Sequence, residues 1–304
     1  MPRESAMKKK HLIFLIAALI ITAVVPVIWL IVTSVSVRQE LPPEIITYEG
    51  AEYTYSEFLT GCVLEQMKSL DSPPDDNTLE GFKAVAMALD CSARYLYNAG
   101  KALDSGYPCM DFTDDKEGLE YFGTELTVYK KYAAKAAAYA IGSGYTINGE
   151  TAFLPVCRIS SGTLISPEDS GYRHVRKLYC SKDEKATFYK GSCQLTADGI
   201  AEIMITRYPS LIIPPDESTW ISGFVRDDAG NVLRLNVCGI SMSGEEFRRI
   251  FEVRSPAFEM SYTQRLYSFE TKGDGCNTGM SVYSAVRLSM RGYTAEEILR
   301  EFYV

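Results

Sequence analysis

Residues 269–303 read FETKGDGCNTGMSVYSAVRLSMRGYTAEEILREFY, and this stretch determines the C-terminal part of the fold. Phe269 leads into a loop that is rich in glycine. Residues 281–291 have the pattern of a helix, and a second, shorter helix is predicted from Thr294. No Gly-Lys-Ser/Thr sequence follows the glycines, so the loop does not have the pattern of a phosphate-binding loop.

The residues before this stretch predict helices first and short strands later. Three helices are expected at residues 56–70, 79–102 and 120–141. The second half changes to short strands and turns, with a hairpin predicted from residues 220–225 and 232–237. Ser243 and Glu246 predict a capping box at the start of another helix. This order predicts one α+β domain over residues 51–304, built from helices and short antiparallel strands.

The N-terminal segment predicts a membrane anchor. Residues 12–32 contain 21 residues without a charge, and a bilayer core needs about 20 apolar residues in a helix. Three lysines at residues 8–10 predict that the N-terminus is cytoplasmic. The competing interpretation is a cleaved signal peptide, whose apolar part usually has only about 7–15 residues. We therefore expect a cytoplasmic tail and transmembrane anchor over residues 1–36, a linker over 37–50, and a single-pass membrane protein whose main domain is extracytoplasmic.

Charge and composition exclude several classes of function. The chain has 304 residues and a net charge of −8; the first 40 residues carry +3, so the rest carries −11. An acidic body without a basic stripe argues against binding of nucleic acid. His11 and His174 are the two histidines of the chain. A site with two histidine ligands in the main domain is therefore excluded, and a Ser-His-Asp triad would depend on His174.

The eight cysteines show no zinc or redox spacing, since no two are close enough to form Cys-x-x-Cys. In an oxidising compartment some could pair, whereas free cysteines commonly behave as small buried apolar residues. Cys157, His174 and Cys180 share one segment, but their spacing does not form a recognisable zinc pattern. We expect no metal and no cofactor.

Residues 269–303 resemble the C-terminal end of the stage II sporulation protein D family, which includes the amidase-enhancer proteins. The sequence pattern of the family is, in outline, G-x-G-H-G-V-G-M-S-Q-Y-G-A, followed by a helix, a glycine and a C-terminal I-L-x-x-Y-Y motif. The matching residues are Gly273, Gly275, Gly279, Met280, Ser281, Tyr283, Ala285, Gly292, Ile298, Leu299 and Tyr303. Segments such as EFLTGCVLEQM, LEGFKAVAMALDCSA, GSGYTINGE, RISSG and SGEEFRRIF also resemble the family, in the same order, over residues 50–304.

The resemblance implies a role in cutting peptidoglycan glycan strands. Family members are similar to lytic transglycosylases and prefer strands stripped of stem peptides, during engulfment in spore-forming bacteria. The chemistry needs one carboxyl group of raised pKa, which acts first as an acid and then as a base. The family places this Glu five residues after a glycine. Here the residue five positions after Gly61 is Gln66, whose amide cannot transfer that proton. The adjacent Glu65 is the alternative, although consecutive side chains on a helix point in directions about 100° apart.

Other family positions are also changed. Cys276 stands at the histidine of the glycine-rich loop and Val282 at the following glutamine. The resemblance implies that substrate contacts are made by Lys83, Ser160, Ser161, Cys276, Gly279, Met280, Ser281 and Tyr283. Ordinary alternatives stay open: Lys83 could be a solvated helix lysine, the Ser160–Ser161 pair an ordinary turn, and Cys276 a structural residue.

Three hypotheses remain for the function. The chain could bind glycan strands with impaired or lost cutting. A single cause, the loss of catalysis, would then explain the changes at Gln66, Cys276 and Val282. It could be an active membrane-anchored transglycosylase in sporulation or cell-wall remodelling, using Glu65 or another carboxylate. It could also be an anchored receptor that uses the same fold, because a fold does not prove an activity. The implied partners are glycan strands, the membrane through residues 12–32, and the stage II sporulation proteins P and M.

Overall fold

The computed structural model describes residues 42, 44–48, 50–103, 108–111 and 115–304, which contain both helices and strands. The mixed α and β content expected from the sequence is therefore confirmed. The helices are α1 (Tyr55–Met67), α2 (Leu79–Asn98), α3 (Lys116–Phe122), α4 (Leu126–Ser143), α5 (Pro167–Ser170), α6 (Ala197–Arg207), α7 (Gly244–Ile250), α8 (Val282–Ser289) and α9 (Ala295–Phe302). The strands are β1 (Ile45–Tyr48), β2 (Ala51–Thr54), β3 (Val156–Cys157), β4 (Lys190–Thr196), β5 (Ile221–Arg226), β6 (Val232–Val237), β7 (Ile240–Ser243), β8 (Phe258–Thr263), β9 (Leu266–Lys272) and β10 (Met280–Ser281).

Helix α2 is the centre of the helical part and packs against α1, α4, α8 and α9. Most of its side chains are buried, including Phe82, Val85 and Met87. Gly81 allows α8 to approach closely, because a Cβ at this position would lie 2.7 Å from the Cα of Val286. Burial of this apolar surface is the main stabilising contribution to the helical part.

The strands of the second half form a separate core. Strand β9 lies between β4 and β8 in one antiparallel sheet, and β6 lies between β5 and β7 in another. Helices α6 and α7 contribute to this core, where Phe247, Phe258 and Phe269 pack with ring centroids 5.4 to 5.6 Å apart. The predicted hairpin is present as β5 and β6. Ser243 caps α7 by accepting a hydrogen bond from the N–H of Glu246, as predicted, but the Glu246 side chain does not return the second bond of a capping box.

Two predicted segments differ from the structure. The third predicted helix is interrupted at Gly123, which has a φ of +53° and separates α3 from α4. The described end of the expected linker contains a strand, since β1 pairs antiparallel with β2. Ile46 and Tyr48 are buried and alternate with exposed residues along β1, which explains why this stretch forms a strand. The expected anchor lies outside the described residues. None of the helices that the structure describes combines the length and apolarity needed to cross a bilayer.

Candidate functional site

A guanidinium group joins helix α1 to the glycine-rich loop over residues 273–279. The Nη1 of Arg158, which follows β3, lies 3.1 Å from Glu65 Oε1 near the end of α1. Its Nη2 lies 2.8 Å from Asp274 Oδ1. Ser69 also donates to Asp274, over 3.2 Å. We call Glu65, Arg158 and Asp274 the Arg158 network; it brings the expected acid position of α1 to the glycine-rich loop.

Glu65 is engaged on both sides of its carboxylate. Its second oxygen, Oε2, lies 2.5 Å from the Nζ of Lys68, while Oε1 contacts Arg158. The Glu65 side chain is 11% exposed. A substrate group that approaches this carboxylate therefore has to compete with two cations at a position that is mostly buried.

Gln66 is buried beside Glu65 and is 5% exposed. An amide does not titrate near neutral pH, so this side chain can position a hydroxyl group by hydrogen bonding but cannot supply a proton.

Two predicted substrate residues, Ser160 and Ser281, are instead fully buried around Asp183. Asp183 accepts from the Ser160 N–H at 2.7 Å, and from the hydroxyls of Ser281 and Ser284 at 2.6 Å each. Burial raises the pKa of Asp183, and these hydrogen bonds only partly oppose that shift. Asp183 and the two serines thus fix the start of α8 to the RISSG segment that carries Ser160, and neither serine has exposed surface for a ligand.

Ser161 belongs to a second polar cluster that connects the helical and strand parts. Its N–H donates to Asn277 Oδ1 over 2.8 Å, and its hydroxyl donates to Asn231 Oδ1 over 3.0 Å. Asn277 also donates to Asn231 and to Ser255. Asn277 is fully buried, so these bonds hold the glycine-rich loop against the hairpin region.

Gly279 and Met280 have structural roles. Gly279 has a φ of +74°, and a Cβ there would lie 1.9 Å from the carbonyl oxygen of Pro155. Met280 is fully buried and pairs with Val156 where β10 runs parallel to β3. Both positions shape the loop backbone rather than presenting side chains to a ligand.

Cys276 is half-buried, and its thiol contacts the carbonyl oxygens of Val156 and Thr278. Burial, with Glu245 nearby, raises its pKa to about 12. A thiol in this state is protonated at neutral pH, which argues against a nucleophile or a metal-bound thiolate. No group of three potential metal ligands occurs among the residues that the structure describes. All eight cysteines are free thiols.

Lys83 lies away from the Arg158 network, whereas the backbone N–H of Tyr283 donates to the carbonyl oxygen of Arg158 over 3.1 Å. The Lys83 ammonium is 2.6 Å from Glu80 and 4.4 Å from the ring centroid of Tyr139, beside the start of α9. The structure therefore does not bring Lys83 together with the other expected substrate residues. The Tyr283 hydroxyl donates to Asp71 over 2.7 Å and accepts from Arg287.

The residues that organise this site were mostly not predictable from local sequence. Asp274 stands between two glycines of the loop, and this position could have marked it as a candidate site residue. Arg158 begins the RISSG segment and Asp183 begins a single turn of 3₁₀ helix, but no local pattern marks either residue as part of a site, and their partners are distant in sequence. When the chain was compared with known proteins, no family model and no curated protein matched it.

Proposed function

We propose that this protein binds peptidoglycan glycan strands without cutting them, as a divergent protein of the stage II sporulation protein D type. In this proposal, residues 12–32 anchor it in the cell membrane and the described domain is extracytoplasmic. The observation that carries the proposal is the acid position: Gln66 cannot titrate, and both oxygens of the adjacent Glu65 are held in ion pairs.

Tyr172 provides a surface for a strand beside the changed position Cys276. Its side chain is 38% exposed, and its ring stacks on Phe153 at a centroid distance of 5.6 Å. Burial, with Cys276 and Glu245 nearby, raises the pKa of the Tyr172 hydroxyl. Exposed, rigid aromatic rings often supply much of the binding free energy of a site.

Co-sedimentation tests this binding role. The full chain in zwitterionic nanodiscs is mixed with strands stripped of stem peptides, and bound strands are quantified. We expect binding, and we expect Tyr172→Ala to weaken it by about tenfold, in line with a truncated aromatic anchor. Phe188→Ala is the matched control, because Phe188 is 47% exposed. Failure of the wild type to bind strands would contradict the proposal.

An active transglycosylase is the second candidate. It is favoured by the central place of Glu65, which is linked through Arg158 to the glycine-rich loop. In that case an ion pair of Glu65 would open when substrate binds. Cutting that is abolished by Glu65→Gln would support this candidate over the binding role.

A further inference from the structure

A cavity of about 660 Å³ lies on the side of α8 that carries Tyr283 and Arg287. Its walls do not include Glu65, Gln66 or Cys276. This volume is in the usual range for a site that binds a small molecule. The cavity is therefore a separate feature from the Arg158 network.

Four cations line the cavity: Lys182, Lys185, Arg287 and Arg291. They face two acidic residues, Asp71 and Glu301. Asp71 is already engaged, because it accepts hydrogen bonds from Tyr283 and from the Thr187 N–H. Burial alone would raise the pKa of Asp71, but these hydrogen bonds and the charge of Arg287 outweigh it and lower the pKa. The cavity thus keeps an excess of positive charge in a protein whose net charge is −8.

The cations occur as like-charged neighbours on two walls. Lys182 is the residue before a single turn of 3₁₀ helix and Lys185 is the last residue of that turn, three positions further on. Arg287 lies in the last turn of α8, and Arg291 lies two residues beyond the end of that helix. Like charges that line one cavity repel each other. Lys182, Lys185 and Arg291 form no ion pair with another residue in the described part of the chain. An anion between the walls would remove this repulsion.

Apolar side chains complete the cavity. Leu178, Leu288 and Phe302 line it together with the ring of Tyr179. Apolar walls favour the body of an organic ligand, and several converging cations favour a group with more than one negative charge. We infer that this cavity binds an organic phosphate monoester, with the phosphate between the lysine and arginine walls and the organic group against the apolar residues.

Fluorescence titration with 1-naphthyl phosphate tests the inference on the full chain in zwitterionic nanodiscs. We expect saturable binding that weakens with added salt, and much weaker binding of neutral 1-naphthol. Lys182→Glu/Lys185→Glu and, separately, Arg291→Glu should each weaken binding at least ~10-fold, since they remove charge-assisted hydrogen bonds. The matched control is Lys190→Glu/Lys272→Glu, an exposed cross-strand lysine pair outside the cavity.

The control pair should leave the affinity unchanged. The inference is overturned if 1-naphthol binds as tightly as its phosphate, or if the control pair weakens binding as much as the cavity pair. A soluble ester and a lipid phosphate share this chemistry. Phosphatidic acid placed in the nanodiscs should compete with the probe if the source is a lipid, and should have no effect if it is a soluble ester.

Discussion

Arg158 holds Glu65 with one guanidinium nitrogen, at 3.1 Å, and uses the other for Asp274 in the glycine-rich loop. This pairing connects the helix that carries the expected acid position to the loop that carries the clearest family resemblance. It also commits Glu65 to a structural contact.

Replacement of Arg158 should therefore destabilise the fold. Arg158→Lys cannot reach both carboxylates, because a single ammonium replaces a two-sided guanidinium. We expect a loss of about 1–3 kcal/mol in the free energy of unfolding, measured by urea denaturation. Arg207→Ala removes an exposed ion pair to Glu246 at 3.8 Å and should cost less than ~1 kcal/mol. Equal losses for the two variants would contradict the role assigned to Arg158.

Gly279 provides a test of the close approach between the loop and β3. Gly279→Ala should destabilise by at least ~2 kcal/mol, because it combines a positive φ with a collision against the Pro155 carbonyl. Gly292→Ala is the matched control, since Gly292 has a φ of +90° but open space around it. Unfolding curves should show a clearly larger loss for position 279; similar losses would refute the contact.

Asp183 should make stability depend on pH. Its pKa is raised in the folded state from an ordinary value of 3.8, so the folded protein binds this proton more tightly than the unfolded chain. Its contribution is therefore greatest at low pH and falls as pH rises from about 4 through the raised pKa. We expect the free energy of unfolding of the wild type, relative to Asp183→Asn, to decrease over this range. Exposed Asp198→Asn is the control, and a difference that rises with pH would contradict the account.

Cys276 should be unreactive in the folded protein. With a pKa of about 12, almost none of this thiol is ionised at pH 8. Mass spectrometry after brief treatment with iodoacetamide should show Cys276 unmodified in the native protein and modified after unfolding in urea. Rapid native labelling of Cys276 would indicate a thiolate and would reopen a chemical role for it.

A carboxyl group introduced at position 66 tests whether this position corresponds to the catalytic glutamate of the family that the sequence resembles. Gln66→Glu has nearly the same shape and should introduce measurable cutting of stripped strands if burial raises the pKa of the new carboxyl. General acid–base catalysis contributes about 10²–10⁴-fold, so even a partial gain is detectable. Gln194→Glu, at an exposed position on β4, should produce no cutting. Cutting by both variants would show that position 66 is not special.

Local patterns in the sequence predicted local structure well. Ser243 capping α7, the start of α8 at Ser281, and the hairpin of β5 and β6 depend on residues only a few positions apart. The strand β1 was mistaken for linker because its short apolar alternation follows a pair of prolines and acquires meaning only when β2 pairs with it.

The site was less predictable because its contacts are long-range. Ser160 and Ser281 resembled ligand contacts by motif, yet a buried carboxylate from another segment, Asp183, uses them as structural partners. Lys83 matched the family by position but pairs with Glu80. Such outcomes depend on which distant side chain is the neighbour, and no local pattern encodes that.

Counting anhydromuramyl ends decides whether this protein cuts glycan strands or, as proposed, only binds them. The full wild-type chain is incubated with stripped glycan strands, and the ends are quantified by mass spectrometry beside a Glu65→Gln variant. We predict that strands are bound and that neither protein produces ends above the background of strands alone. Ends produced by the wild type and lost in Glu65→Gln would contradict the claim and would assign the catalytic role to Glu65.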